Sequence, residues 1–188
     1  ANSAFFLFAF IVGIFLMSIL LMIQLNSFYQ VFIIVSAVIL STAGVQLGLL
    51  VTQQISSALF TSLGIIALAG IVVNNNIVLV DTYNVISKEN PDLSRDQIVV
   101  RTAAQRLRPI ILTTATTVIG LLPLASGIGV DFYQRNIEIG GRVSEWWQPM
   151  SFAVVWGLTF ASGLTLFLTP CWLMLPEAIR KTFRNKKD

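Results

Sequence analysis

Histidine is missing from this chain altogether, and cysteine occurs once, at position 171. A lone thiol cannot close an internal disulfide, and without His or a second Cys there is no Cys/His metal cluster. Cys171 falls in an apolar stretch, where a thiol is expected to be inert packing. Charge is just as scarce. Asp, Glu, Lys and Arg make up 11% of the 188 residues, against about 25% in an ordinary soluble domain. None of them occurs before Asp81. Yet 55% of the residues are hydrophobic, more apolar surface than a core of this size can bury. A bilayer removes the difficulty, because lipid covers the apolar side chains.

What is present is a set of long apolar runs. A spanning helix needs roughly 20 mostly apolar residues, and five stretches qualify, at about 4–23, 31–51, 58–80, 109–128 and 150–175. The fold class read from them is all-α, a polytopic transmembrane helical bundle of five spans. Short loops at 24–30 and 52–57 make the first three spans antiparallel neighbours. Two longer polar segments follow, 81–108 and 129–149, and a basic tail covers 176–188.

Lys and Arg set the orientation. Segment 81–108 holds Lys88, Arg95, Arg101, Arg106 and Arg108, and the tail holds Arg180, Lys181, Arg184, Lys186 and Lys187. Those ten of the twelve basic residues place both segments in the cytoplasm, with 129–149 as a periplasmic loop. The expected topology therefore has the N-terminus outside and the C-terminus cytoplasmic. The chain starts at Ala1 with no basic leader, so a preceding segment is expected to deliver the first span to the far side. The cytoplasmic connection 81–108 is expected to be an amphipathic helix capped by Ser94, with Ile98, Val99, Ala103 and Leu107 on its apolar side.

Polar groups inside a membrane are costly unless satisfied, so they mark interior faces. The third span carries Asn74, Asn75 and Asn76 in a row. At about 100° per residue, Asn74 and Asn76 point nearly opposite ways. Gly64, Ala67, Gly70 and Asn74 share one sector, with Asp81 two turns further on the same side. Asn74 is therefore expected to face the bundle centre with Asn75 beside it, and Asn76 another helix. The fourth span opens Arg108-Pro109, with Pro109 at a first helical position where no hydrogen bond is lost. Thr113, Thr117 and Gly120 share a face of that span, and Pro123 is expected to bend its outer end. In the fifth span Gly157, Ala161 and Thr165 form a small-residue packing stripe, and Trp146, Trp147 and Trp172 suit two interfacial belts. All nine acids lie in loops, in the tail, or at the end of the third span as Asp81. Asn and Thr do not titrate near neutral pH, so this chain can shape a proton path but has no group to carry the proton. Nothing points to an enzyme, and no cofactor, metal or nucleic-acid partner is expected.

The stretch from Gly64 to Asp81, GIIALAGIVVNNNIVLVD, closely resembles the tenth span of the resistance–nodulation–division (RND) exporters. The stretch from Arg106 to Leu124, RLRPIILTTATTVIGLLPL, resembles their eleventh. Order and spacing match spans eight to twelve, in a pattern nearer the hydrophobe/amphiphile branch than the heavy-metal branch. The resemblance implies a full protein with twelve spans, two large periplasmic loops and a trimeric assembly in the inner membrane. It implies export of amphiphilic compounds in exchange for protons, with the titrating acids on a fourth span that lies in the missing N-terminal half. A periplasmic adaptor and an outer-membrane channel are further implied partners. Asn75 and Thr113 match the polar relay positions, and Asn74 stands where many members carry Lys, so it can only hydrogen-bond. Arg108 matches the basic residue opening the eleventh span, with Asp81 and Thr117 in support. Asn76 departs from the usual Ala. Loop 129–149 is longer than in the best-known members. Two readings compete: a protein-export or lipid-export relative, against which the Asn-Asn and Arg-Pro-Ile-Ile-Leu-Thr-Thr signatures argue, and a stand-alone five-span accessory or structural protein, or a gene remnant, without transport activity.

Overall fold

A computed structural model describes residues 2–53, 57–131 and 136–184, with side chains for 4–53, 57–128, 140–141 and 144–175. Among these residues five helices are long and apolar enough to cross a membrane. They are α1 (Asn2–Leu25), α2 (Phe28–Thr52), α3 (Ala58–Glu89), α4 (Arg95–Ala125) and α5 (Arg142–Arg184), with a small hairpin of β1 (Ile128–Asp131) and β2 (Asn136–Ile139) before α5. The turn from α1 to α2 passes through Asn26 at φ 48°, and α2 ends on Gln53 at φ 51°.

α5 is the hub, packing against α2, α3 and α4. Against α3 it runs parallel. Gly64 meets Ala153, Leu68 meets Gly157 and Asn76 meets Thr165, each pair separated by 89 positions. Against α2 it runs antiparallel, since Gly48 meets Trp156, Gly44 meets Phe160 and Phe32 stacks on Trp172. Against α4 it is antiparallel too, through Gln148 with Ala125 and Thr114 with Ser162. Glycine makes these approaches possible. A Cβ on Gly64 would stand 2.9 Å from the Met150 carbonyl oxygen and 2.9 Å from the Ala153 Cβ. The expected small-residue stripe is buried, Gly157, Ala161 and Thr165 all facing inward on α5.

Gly64→Val should therefore fail where Gly70→Val does not, because nothing lies within 4 Å of a Cβ on Gly70. Overpacking against backbone costs about 1–3 kcal/mol or more. The check is the thermal midpoint of residues 1–188 purified alone in detergent, which should fall for Gly64→Val and hold for Gly70→Val.

Aromatic rings mark two levels. Phe60 lies against Trp146 and Trp147 at one end, and Phe32 against Trp172 at the other. The 25-residue step from Trp147 to Trp172 amounts to about 38 Å of helix, close to the full bilayer with its interfaces. α1 packs little against the other described helices. Phe5, Phe8, Phe15, Leu20 and Ile23 are all exposed, and of its described side chains only Leu21 is buried.

Several boundaries differ from the sequence expectation. The connection 81–108 is not a separate helix. α3 continues to Glu89, and α4 starts at Arg95 and runs unbroken through the fourth span. Ser94 does cap it, its hydroxyl accepting from the Gln97 amide while the Gln97 side chain accepts from the Ser94 amide. Pro109 consequently lies inside α4 rather than at its first position. Its ring removes a mid-helix hydrogen bond after all, and leaves the Gln105 carbonyl without its usual donor. Pro123 lies two residues before the end of α4 at Ala125. Segment 129–149 is not all loop. It holds most of the hairpin and the first two turns of α5, so Trp146 and Trp147 are helical. The hairpin leaves α4 through Gly127 at φ 73° and ends on Gly140 at φ 79°, whose amide donates to the Gly127 carbonyl. Cys171 is an exposed free thiol on α5 rather than packing inside the bundle.

Candidate functional site

The Asn run lies between the two aromatic levels. Because α3 and α5 are parallel at a constant offset, Asn74 is level with Gly163. Gly163 lies about 24 Å along α5 from Trp147 and about 14 Å from Trp172. The Thr114–Ser162 contact, between antiparallel helices, puts Thr113 at the same level. Asn74 and Thr113 therefore share one depth within the hydrocarbon, on two helices that pack against the same third one.

Their surroundings differ from those of their neighbours. Asn74, expected to face the bundle centre, is instead exposed on the outside of α3 in the described bundle, in line with exposed Ala67, Gly70 and Asp81; Gly64, expected in the same sector, is buried against α5. Asn75 is half-buried. Neither Asn74 nor Asn75 makes a side-chain hydrogen bond among the described residues. Thr113 is exposed and its hydroxyl donates to the Ile110 carbonyl; half-buried Thr117 donates to the Thr113 carbonyl. Gly120 continues that face, and nothing lies within 4 Å of a Cβ placed on it. The two helices thus present strips of small and polar residues at the same depth with no described partner. Arg108 and Asp81 are exposed, and among the described residues the one side-chain hydrogen bond between members of the set Asn74, Asn75, Thr113, Thr117, Arg108 and Asp81 is that of Thr117 to the Thr113 carbonyl, within α4. The offset of 89 places Asp81 level with Pro170, about 3 Å along the axis from Trp172, at the interface rather than in the hydrocarbon.

Asn76 behaves differently from both its neighbours. It is fully buried. Its amide nitrogen donates to the Val72 carbonyl at 2.9 Å and to the Thr165 hydroxyl at 3.2 Å, and its oxygen accepts from Thr169 at 2.9 Å. It faces another helix, as its angular position requires, and that helix is α5. Sequence reasoning missed Thr169, Thr114 and Ser162. Thr169 was within reach, because it extends the Gly157, Ala161, Thr165 spacing by one more step of four. Two more links tie the end of the bundle where α3 meets α4. Arg106 donates to Thr82, which donates to the Val78 carbonyl, and Gln30 and Asn84 exchange amide hydrogen bonds between α2 and α3.

Comparison with known proteins agrees with this architecture. The multidrug resistance protein MdtC of Salmonella schwarzengrund is 31% identical over 152 residues, which is 79% of this chain and 13% of that protein. MdtC of Citrobacter koseri matches to the same extent. The X-ray structure of a heavy metal efflux pump in its crystal form II superposes with a TM-score of 0.69 at 30% identity, covering 88% of this chain and 15% of that one. Crystal form I gives a TM-score of 0.65 over 85% of this chain. The chain thus spans about one eighth of the length of these curated relatives. Residues 1–176 match the AcrB/AcrD/AcrF family, and this multi-pass membrane chain belongs to that family, the RND transporters whose tenth and eleventh spans its motifs resemble.

Proposed function

We propose that the chain is the C-terminal membrane part of a proton-driven pump of the bacterial inner membrane that exports amphiphilic compounds, and that it supplies the polar relay face but not the titrating acids. The observation that carries this reading is the pair of unpartnered strips at one depth, Ala67–Gly70–Asn74 on α3 and Thr113–Thr117–Gly120 on α4. Polar groups so far from either interface are costly in lipid, and small residues beside them admit another helix closely. An acid-bearing span of the N-terminal half fits that position. In this reading Asn74, Asn75 and Thr113 hydrogen-bond around the acids. Arg108 and Asp81 support them from the cytoplasmic side, and Thr117 from within α4. Ten basic residues on that side support a cytoplasmic tail and a periplasmic hairpin. The assembly is a homotrimer, joined by a periplasmic adaptor and an outer-membrane channel.

The two kinds of relative divide on substrate, the one named for multidrug resistance and the other for heavy-metal efflux. The test is resistance conferred by the intact transporter in a host stripped of its own pumps. Resistance to amphiphilic dyes and detergents that a protonophore abolishes is the expected result, with reporter fusions at Asn90 reading cytoplasmic and at Ile137 periplasmic. Resistance confined to metal cations, or insensitive to the protonophore, removes the substrate or the coupling from the proposal.

A further inference from the structure

The polar contacts of α5 do more than hold helices together. Ser162, Thr165 and Thr169 form a buried stripe along α5. Thr165 and Thr169 meet Asn76 of α3, and Ser162 meets Thr114 of α4 at 2.6 Å. Each anchored residue adjoins a relay position, Asn76 following Asn75 and Thr114 following Thr113. Above Asn76 the α3–α5 interface is made of Gly64, Leu68, Ala153 and Gly157. Smooth apolar contacts of that kind define little rotation in lipid, where no hydrophobic force favours one apolar face over another. Hydrogen bonds are directional, and Asn76 uses both amide protons and its oxygen.

We infer that the Ser162–Thr165–Thr169 stripe is a mount that sets the rotation of α3 and α4 about their axes. With Asn76 pinned inward, Asn74, two residues earlier and about 200° away, must point outward. With Thr114 pinned to Ser162, Thr113 stays on the exposed side. Asn76, Thr165, Thr169, Thr114 and Ser162 are positioning residues: they touch neither proton nor substrate, and they aim the groups that the proposed function places around the acids. The transport arm of this inference rests on that proposed function, and the geometric arm does not.

The test uses the intact transporter with Cys171→Ser and spin labels at Lys88→Cys and Leu175→Cys, both exposed positions near one end of α3 and α5. Thr169→Val removes the proton donated to Asn76 while keeping the side-chain shape, and Thr169→Ser keeps that donor. The inter-label distance distribution should be narrow in the parent and in Thr169→Ser, and shifted or broadened in Thr169→Val. At equal membrane levels, Thr169→Val should lower the transport rate about tenfold, the effect of one buried acceptor left unpaired, and should displace the pH profile of transport. Thr169→Ser should restore both. An unchanged distance distribution in Thr169→Val overturns the mount, as does a Ser variant as impaired as Val. A shifted distribution with an unaltered rate and pH profile overturns the positioning role. A parent that shows no transport at all refutes the proposed function, and the distance arm still decides whether the mount exists.

Discussion

Produced alone, residues 1–188 should insert in the membrane yet give no resistance above an empty vector and no proton-coupled flux. Flux driven by a proton gradient needs a group that binds and releases a proton within the membrane near working pH. Every acid with a described side chain is exposed, and Asp81 is the one that comes nearest the hydrocarbon. Its level beside Pro170 is close to the aromatic level of Trp172. Asp131 and Glu138 belong to the hairpin beyond α4, and Glu177 lies about 8 Å along α5 past Trp172. The mid-membrane polar groups are amides and hydroxyls, which do not titrate. The expected size of the effect is complete loss relative to the intact transporter. The check is a resistance assay with intravesicular pH measured in parallel, at membrane levels matched by immunoblot. Any gradient-dependent flux from the segment alone would mean that a carboxylate such as Asp81 reaches the hydrocarbon, and would overturn the assignment of the titrating acids to another part of the protein.

The spans were legible because hydropathy reports the depth at which a residue rests. A run without charge, such as the stretch before Asp81, has nowhere to go but lipid. Hydropathy does not report where a helix stops, which depends on backbone hydrogen bonds and caps. α3 therefore carries on past Asp81 to Glu89, and α4 begins fourteen residues before Pro109. The N-cap at Ser94 was legible for the complementary reason, being a short-range pattern set by local chemistry, whereas its reciprocal partner Gln97 was not singled out. The hairpin left a signal that was not used, since Asn136-Ile137-Glu138-Ile139 alternates with the period of a strand. The angular split between Asn74 and Asn76 was legible from helix geometry alone. The partner of Asn76 was not, because it depends on which helix packs there. α5 enters the chain nearly seventy residues later, and parallel to α3 rather than in the antiparallel order of sequence neighbours.

Replacing Asn74 by Leu in the intact transporter should abolish resistance while the protein remains folded and in the membrane. Leu keeps the volume roughly similar and removes both donor and acceptor. In the described bundle Asn74 is exposed and makes no side-chain hydrogen bond, so its loss removes nothing that holds α3 to α2, α4 or α5. Any effect must act through a group outside this bundle. If that group is a buried acid at the same depth, losing one hydrogen bond costs about 1–3 kcal/mol and displaces its pKa from the working range. Thr113→Val should behave likewise, since Thr113 lies level with Asn74 and bonds only its own helix among the described residues. Asn76→Leu belongs to a different class and is no neutral control. It breaks three buried hydrogen bonds at once, and should deplete the protein from the membrane before any question of transport arises. The clean comparison is therefore resistance per unit of membrane protein, together with the thermal midpoint of each purified variant. Asn74→Leu should lose the first and lower the second far less than Asn76→Leu does. If Asn74→Leu lowers the midpoint as much as Asn76→Leu, the whole Asn run is packing glue between helices. If it leaves resistance intact, the relay assignment of Asn74 falls, and the exposed strip on α3 serves only to admit a neighbouring helix.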